Sequence, residues 1–255
     1  MSKIHIFGAF LMLAAWSGNV GLSNPAANSS NPSANIASRF QIGSAANAEV
    51  RWTPNPDRGS ASSTLSGGRR GTAAACALDN GVPEPAITLL VPDDSIALTT
   101  EAQPTLSWYI ESAQAVDMEF ILSHPEYADP VYTKRLQSDT GLVEVALPEL
   151  AALEAGIEYW WTVFVDCDSD GEYEIHARSF VARVSDSDMA SGMETMSSLD
   201  RAATYAANGI WHDALNTLVS SYREDSQMVT LLEIRRLLDQ ANTQVPLELS
   251  LAIES

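Results

Sequence analysis

Hydrophobic and polar residues alternate along much of the middle of the chain. The clearest run is "AVDMEFIL", in which every second residue is apolar: Val116, Met118, Phe120 and Leu122. A period of two predicts a strand with one buried face. Six further runs have the same character: "AITLLVP", "PTLSWYI", "PVYTKRL", "LVEVALP", "EYWWTVFV" and "EYEIHARSFVARV". Short strands separated by turn-rich stretches predict an antiparallel β-sandwich of the immunoglobulin or fibronectin type III kind over residues 86–184.

The stretch "LEAGIEYWW" supports the sandwich. It places Leu153, Gly156, Tyr159 and Trp161 in the order L-x-x-G-x-x-Y-x-W, which precedes a central strand in many such domains. We expect the Tyr159 hydroxyl to cap the preceding corner and Trp161 to enter the core.

Three tryptophans of the predicted sandwich fall on two different faces. Alternation puts Trp108 and Trp161 with the buried apolar residues, although a sugar-stacking platform is the functional alternative for all three. Trp160 points the other way, so we take it as a candidate contact residue.

The pattern changes to a helical spacing after residue 196. Residues 185–196 read as a linker, and 197–255 predict an α-hairpin broken at Asn208-Gly209 and followed by a further helix. In this last helix we expect Val229, Leu232 and Leu237 or Leu238 to face inward. The hairpin is similar to half of a tetratricopeptide-type unit, but a repeat array needs about three units, so we expect it to pack against the sandwich. The fold class is therefore mainly β with a helical C-terminal element.

The N-terminal third of the chain, residues 1–85, differs from the rest in composition and lacks a periodic hydrophobic pattern. Residues 1–27 contain a lysine followed by the apolar run Ile4–Trp16, which is typical of a signal peptide and too short to span a bilayer. Residues 28–85 are rich in Ala, Ser, Asn and Gly and predict a disordered or irregular segment with an Arg-bearing strip. We therefore expect export, to the periplasm or the extracellular space, with no membrane span after signal cleavage.

The net charge of −19 narrows the classes of partner. Nucleic acids and anionic lipid surfaces are bound through Lys and Arg, so this acidity argues against both. It points to no particular partner.

Two cysteines are present, Cys76 and Cys167. In an exported chain two cysteines are expected to form one disulfide, whereas a cytoplasmic chain would keep two thiols. Closing the loop between them should stabilise the sandwich by roughly 2–4 kcal/mol.

The run "DCDSDGEYEI" opens like a calcium-binding EF-hand loop. Four acidic residues fall at ligand positions of such a loop: Asp166, Asp168, Asp170 and Glu174. The twelfth position is Ala177, which removes the bidentate glutamate, and the flanks read as strands. Asp170-Gly171 is also a hairpin-turn pattern. We therefore expect a turn and no cofactor, and calcium held by these four residues is the alternative.

The order of several short motifs resembles a family of exported cyanobacterial proteins of unknown function, the domain family numbered 928. The motifs are "RG" at 58, "GGRRGTAAAC", "LLVP", "PTLSWYI", "VY" at 131, "LPELAALEAGIEYWW", "VDCD", "GIWHDALNTL" and "LL" at 231. One departure is "FVAR" at 180–183, where the family tends to have a Gly-Trp pair before an Arg. The resemblance implies an exported location and this architecture, and no catalytic residues.

No nucleophile elbow, phosphate-binding loop, dinucleotide fingerprint or zinc-protease motif occurs in the sequence. We therefore predict an exported, non-enzymatic interaction module of the cell envelope, whose partner is an unknown protein or an envelope polymer. A calcium-dependent structural or adhesion module is the first alternative. An envelope glycan hydrolase is the second, and it would need two carboxylates facing each other across a cleft.

Overall fold

The computed structural model describes residues 49–55, 65–69, 83–166, 175–185, 192–243 and 245. Within these ranges the chain forms nine strands and three α-helices. The strands are β1 (Leu65–Arg69), β2 (Ala86–Leu89), β3 (Ala97–Thr99), β4 (Thr105–Glu111), β5 (Val116–Ser123), β6 (Tyr132–Ser138), β7 (Gly141–Ala146), β8 (Glu158–Asp166) and β9 (Ile175–Arg183). The helices are α1 (Ser198–Ala207), α2 (Trp211–Asp225) and α3 (Met228–Gln240).

The strands form two sheets. The smaller sheet has the order β2-β4-β7 and is antiparallel. The larger has the order β1-β9-β8-β5-β6, and β3 joins it by pairing parallel to the second half of β9. All seven strands predicted from alternation are confirmed, and β1 and β3 are additional. β1 lies in the segment for which the sequence predicts no regular structure.

Aromatic side chains fill the space between the two sheets. Trp108 of the smaller sheet stacks on Phe120 of the larger at a ring-centroid distance of 6.1 Å, and Trp161 lies 6.3 Å from Trp108. All three side chains are fully buried. The prediction that Trp108 and Trp161 belong to the core is confirmed.

The corner before β8 is closed by a tyrosine. The Tyr159 hydroxyl oxygen accepts a hydrogen bond from the backbone N–H of Glu154 at 3.2 Å. Burial raises the pKa of Tyr159. The capping role expected of this hydroxyl is therefore confirmed.

The helical prediction is confirmed, with its break at the expected dipeptide. The Ser197 side chain caps the start of α1 by accepting a hydrogen bond from the Asp200 N–H at 3.1 Å. Gly209 has a φ of +75°, and a Cβ atom there would come within 3.0 Å of Asn55. Both the backbone angle and the close approach favour glycine at this turn.

Helix α3 is rotated relative to the prediction. Leu237 and Leu238 are buried as expected, but Val229 and Leu232 are exposed. The inward positions nearer the start of the helix are Thr230 and Ile234 instead. The expectation for Val229 and Leu232 is therefore wrong, because the buried face runs through 230, 234, 237, 238 and 241 at helical spacing.

A short segment without regular structure, residues 49–55, packs on the helices. Val50 is fully buried, and its N–H donates to the Glu233 carboxylate at 2.9 Å. The rings of Trp52 and Trp211 pack nearly perpendicular to each other, with centroids 4.9 Å apart. A single hydrophobic cluster joins this segment, both sheets and all three helices.

Candidate functional site

A polar cleft lies where the helices meet the strands. It has a volume of about 340 Å³ and is bounded by α1, α2 and the connection between β3 and β4. Three carboxylates, one arginine and one tyrosine line it: Glu101, Asp213, Glu224, Arg201 and Tyr205. The rest of the lining is mainly hydroxyl and amide: Gln103, Thr105, Ser198, Asn216, Thr217, Ser220 and Ser221, with Pro104.

Asp213 stands in the first turn of α2 and is buried. One carboxylate oxygen accepts a hydrogen bond from the Thr99 hydroxyl at 2.5 Å. The other accepts from the Thr100 N–H at 2.9 Å and from the Thr100 hydroxyl. Burial raises the pKa of Asp213, and these hydrogen bonds act against that rise. Asp213 therefore fixes the end of β3 to the start of α2.

Tyr205 approaches the same point from α1. Burial raises the pKa of its hydroxyl, and the charges of Asp213 and Glu101 raise it further, while a hydrogen bond with Thr100 lowers it. Tyr205 and Asp213 therefore both lie beside Thr100, where α1, α2 and the residues after β3 meet.

Asn216 lies one turn beyond Asp213 on α2. Its side-chain N–H donates to the carbonyl oxygen of Thr105 at 3.0 Å, which fixes the orientation of the amide. Its side-chain oxygen is buried and has no hydrogen-bond partner within the described ranges. This oxygen is closed to solvent, so the amide ties α2 to the start of β4 and offers the cleft no accessible acceptor.

Arg201 is the cation of the cleft lining. Across the described part of the chain its guanidinium forms no ion pair. It faces a lining in which carboxylates outnumber it, so the cleft carries a net negative charge. Charged, hydroxyl and amide groups together allow the cleft both to donate and to accept hydrogen bonds.

Most residues of the predicted chemistry lie outside the described ranges. This applies to both cysteines and to three of the four candidate calcium ligands: Cys76, Cys167, Asp168, Asp170 and Glu174. The disulfide and the calcium loop therefore stay predictions. Asp166, the remaining candidate ligand, is buried at the end of β8 opposite Asp117.

Trp160 lies on the outer face of the larger sheet and is half-buried. Its cross-strand neighbours are Ser123 on β5 and Phe180 on β9. It does not line the cleft. Its role as a contact residue stays a prediction that concerns a different surface.

From its place beside Trp211 at the start of a predicted helix, His212 is expected at the surface, and the structure shows that this expectation is wrong. Its side chain is 1% exposed, and its Nε2 atom has no hydrogen-bond partner among the residues described. Burial lowers the pKa of His212 to about 3, so the imidazole is neutral. Within the described ranges no three or more His, Cys, Asp or Glu side chains are grouped so that they could hold a metal ion.

Sequence reasoning did not find the cleft. Asp213 and Asn216 are polar residues on a helix whose neighbouring positions predict burial. A polar residue at such a position often marks a functional site, and this was the signal in the sequence that pointed to the cleft. Thr99 and Thr100 follow a strand of only three residues, which carries too short an alternation to be recognised.

The chain matches the profile of a known protein family. The profile of a family described as "Domain of Unknown Function (DUF928)" matches residues 65–248. No curated protein matches the chain. The matched range includes every strand and helix named above, and so the whole cleft.

Proposed function

The chain belongs to the DUF928 family, and on that premise we propose that it is an exported, non-enzymatic interaction module that binds its partner through the polar cleft. The observation that carries the proposal is the lining of the cleft. Hydrogen-bonding groups cover most of its surface, and the buried carboxylate at its base is already engaged by the protein itself. Such a surface is suited to recognition of a polar ligand.

The proposed scaffold is a sandwich of the immunoglobulin or fibronectin type III kind. Three features support it: the order β2-β4-β7 in one sheet, the order β9-β8-β5-β6 in the other, and the parallel pairing of β3 with β9. The tyrosine corner at Tyr159 is a fourth. The fold itself does not fix a function, so the proposal depends on the cleft.

Binding fits the cleft better than catalysis does. A glycan hydrolase needs one carboxylic acid that gives its proton to the substrate and a second carboxylate opposite. Both oxygens of Asp213 accept hydrogen bonds from Thr99 and Thr100. Neither oxygen is therefore free to carry a proton to a substrate. Glu101 and Glu224 are exposed, so water shields their charges.

Export rests on the N-terminal apolar run, Ile4–Trp16, and on the family resemblance. In the described ranges no helix is long and apolar enough to cross a membrane. We propose that the partner is a protein or a polymer of the cell envelope.

Co-sedimentation of the purified full chain with isolated native envelopes tests this function. The cleft variant is Arg201→Gln with Thr217→Val, and the control is Arg135→Gln on β6, whose side chain is 81% exposed. We expect the unmodified chain and the control to sediment with the envelopes and the cleft variant to stay in solution. We also expect the same binding in calcium and in chelator, and no release of reducing sugar ends.

Each other outcome contradicts a separate part of the proposal. Released reducing ends would indicate a hydrolase. Loss of binding in chelator would favour the calcium module built on Asp166, Asp168, Asp170 and Glu174. Equal sedimentation of the cleft variant and the control would place the binding surface outside the cleft.

A further inference from the structure

We propose that the cleft binds a neutral, polyhydroxylated ligand, namely a short saccharide segment. This inference rests on the proposed function, because it names the ligand class of the same site. It follows from the kinds of hydrogen-bonding group in the lining, from the charge of the lining and from the size of the cleft.

The lining needs a ligand that donates and accepts hydrogen bonds at neighbouring positions. The carboxylates of Glu101 and Glu224 can only accept, and both side chains are exposed at the cleft. The guanidinium of Arg201 can only donate. Adjacent hydroxyls on a sugar ring supply both a donor and an acceptor, since each hydroxyl has one O–H and two lone pairs.

The hydroxyl groups of the lining also favour a polyhydroxylated ligand. Five Ser and Thr side chains line the cleft: Thr105, Ser198, Thr217, Ser220 and Ser221. An apolar ligand would bury these groups without partners, at a cost of about 1–3 kcal/mol for each one left unpaired. A hydroxylated ligand replaces the water bound to them with hydrogen bonds of its own.

The charge of the lining argues against ionic ligands. The exposed carboxylates of Glu101 and Glu224 outnumber Arg201, so a phosphate or a sugar acid would meet net repulsion, weakened by water. An organic cation would be drawn to the carboxylates but would leave the guanidinium of Arg201 without an acceptor. A neutral ligand avoids both conflicts.

The size of the cleft limits the length of the ligand. Its volume of about 340 Å³ is at the lower end of the range of roughly 300–1,000 Å³ found for ligand pockets. One or two sugar rings match this size. Tyr205 is the aromatic residue of the lining, and an aromatic ring can pack against the C–H face of a pyranose.

Calorimetric titration of the full chain tests the ligand class. The probes are the neutral disaccharides cellobiose, maltose and N,N′-diacetylchitobiose, the cation spermidine, and the anion digalacturonate. We expect at least one neutral disaccharide to bind with a Kd on the order of 1 mM. Arg201→Gln and Ser221→Ala should each weaken that binding about tenfold, and Arg135→Gln should leave it unchanged.

Glu224→Leu removes an exposed acceptor of the lining and should weaken disaccharide binding about tenfold. Its melting temperature is measured alongside, so that a loss of folding is recognised. Equal binding by Glu224→Leu, Ser221→Ala and the unmodified chain would overturn the proposal.

The outcomes separate the ligand class from the function. Binding of spermidine or digalacturonate in place of the disaccharides would overturn the saccharide class. If no probe binds while envelope sedimentation still depends on Arg201 and Thr217, the class is wrong and the interaction module stands. If a disaccharide binds but sedimentation does not depend on the cleft, the ligand class stands and the proposed envelope role is wrong.

Discussion

The Asp213 carboxylate accepts hydrogen bonds from both the backbone N–H and the side-chain hydroxyl of Thr100. These two residues are far apart in sequence, and their contact joins the first turn of α2 to the residues that follow β3. The cleft opens beside this junction, so its shape depends on the contact.

Replacing this carboxylate by an amide should loosen the junction. In Asp213→Asn one oxygen acceptor becomes an N–H donor that faces the hydrogen-bond donors of Thr99 or Thr100. We expect a loss of about 1–3 kcal/mol in the free energy of unfolding at pH 5, measured by urea denaturation. An unchanged free energy would show that the contact contributes nothing to stability.

The same variant has a predicted pH dependence. Burial raises the pKa of Asp213 above its usual value of 3.8, so the folded chain holds this proton more tightly than the unfolded chain does. Binding of this proton stabilises the folded chain fully at a pH below the pKa of Asp213 in the unfolded chain. This stabilisation is lost as the pH rises through the pKa of Asp213 in the folded chain. The difference between the unmodified chain and Asp213→Asn should therefore shrink from pH 4 to pH 7. A difference that grows with pH would contradict this.

His212 should make the chain sensitive to acid. Its pKa is about 3 in the folded chain, against 6.5 without burial, so the unfolded chain takes up a proton first as the pH falls. Above pH 6.5 the neutral imidazole does not reduce stability. Below pH 6.5 the free energy of unfolding falls by about 1.4 kcal/mol per pH unit. His212→Leu should lose less stability than the unmodified chain between pH 6.5 and pH 4.5. Parallel stability curves for the two proteins would refute the assignment.

The tyrosine corner predicts a contrast between two conservative substitutions. Tyr159→Phe removes the acceptor of the Glu154 N–H and should cost about 1 kcal/mol. Tyr127→Phe removes a hydroxyl from a side chain that is 54% exposed and should change stability by less than about 0.5 kcal/mol. Thermal unfolding of both variants measures the contrast, and equal effects would count against the corner.

The strands could be predicted because alternation in this chain matches burial closely. In β5 every second residue is buried, as the pattern of Val116, Met118, Phe120 and Leu122 requires. Trp161 and Tyr159 were placed correctly for the same reason. The sequence therefore determined which residues meet between the sheets.

Elements defined by long-range contacts could not be predicted. β3 has three residues and exists because it pairs with β9, and β1 is held by the same strand. Val50 and Trp52 carry no periodic pattern and are placed by Glu233 and Trp211, which are far away in sequence. His212 was misplaced because a polar residue beside Trp211 was expected at the surface, whereas the start of α2 is buried on all sides.

The cleft could not be predicted from the sequence, because it too is formed by residues that are far apart along the chain. Its residues come from α1, α2 and the β3–β4 connection, and serine, threonine and asparagine are common on protein surfaces. Only folding brings Thr100, Tyr205 and Asp213 together.

A disulfide between Cys76 and Cys167 stays a prediction from the sequence, because both residues lie outside the described ranges. Reductant should lower the melting temperature of the purified protein, in line with a loss of roughly 2–4 kcal/mol. Cys76→Ser with Cys167→Ser should melt at that lower temperature and should not respond to reductant. Titration of two thiols in the unreduced protein would exclude the bond.

Hydrogen–deuterium exchange of the full chain, with and without native envelope material, tests the cleft as the binding surface most directly. We predict slower exchange in residues 101–105, 198–205 and 213–224, the three segments that line the cleft. Exchange elsewhere should be unchanged. Protection confined to the outer face of the larger sheet, around Trp160 and Phe180, would contradict the account and move the binding surface there.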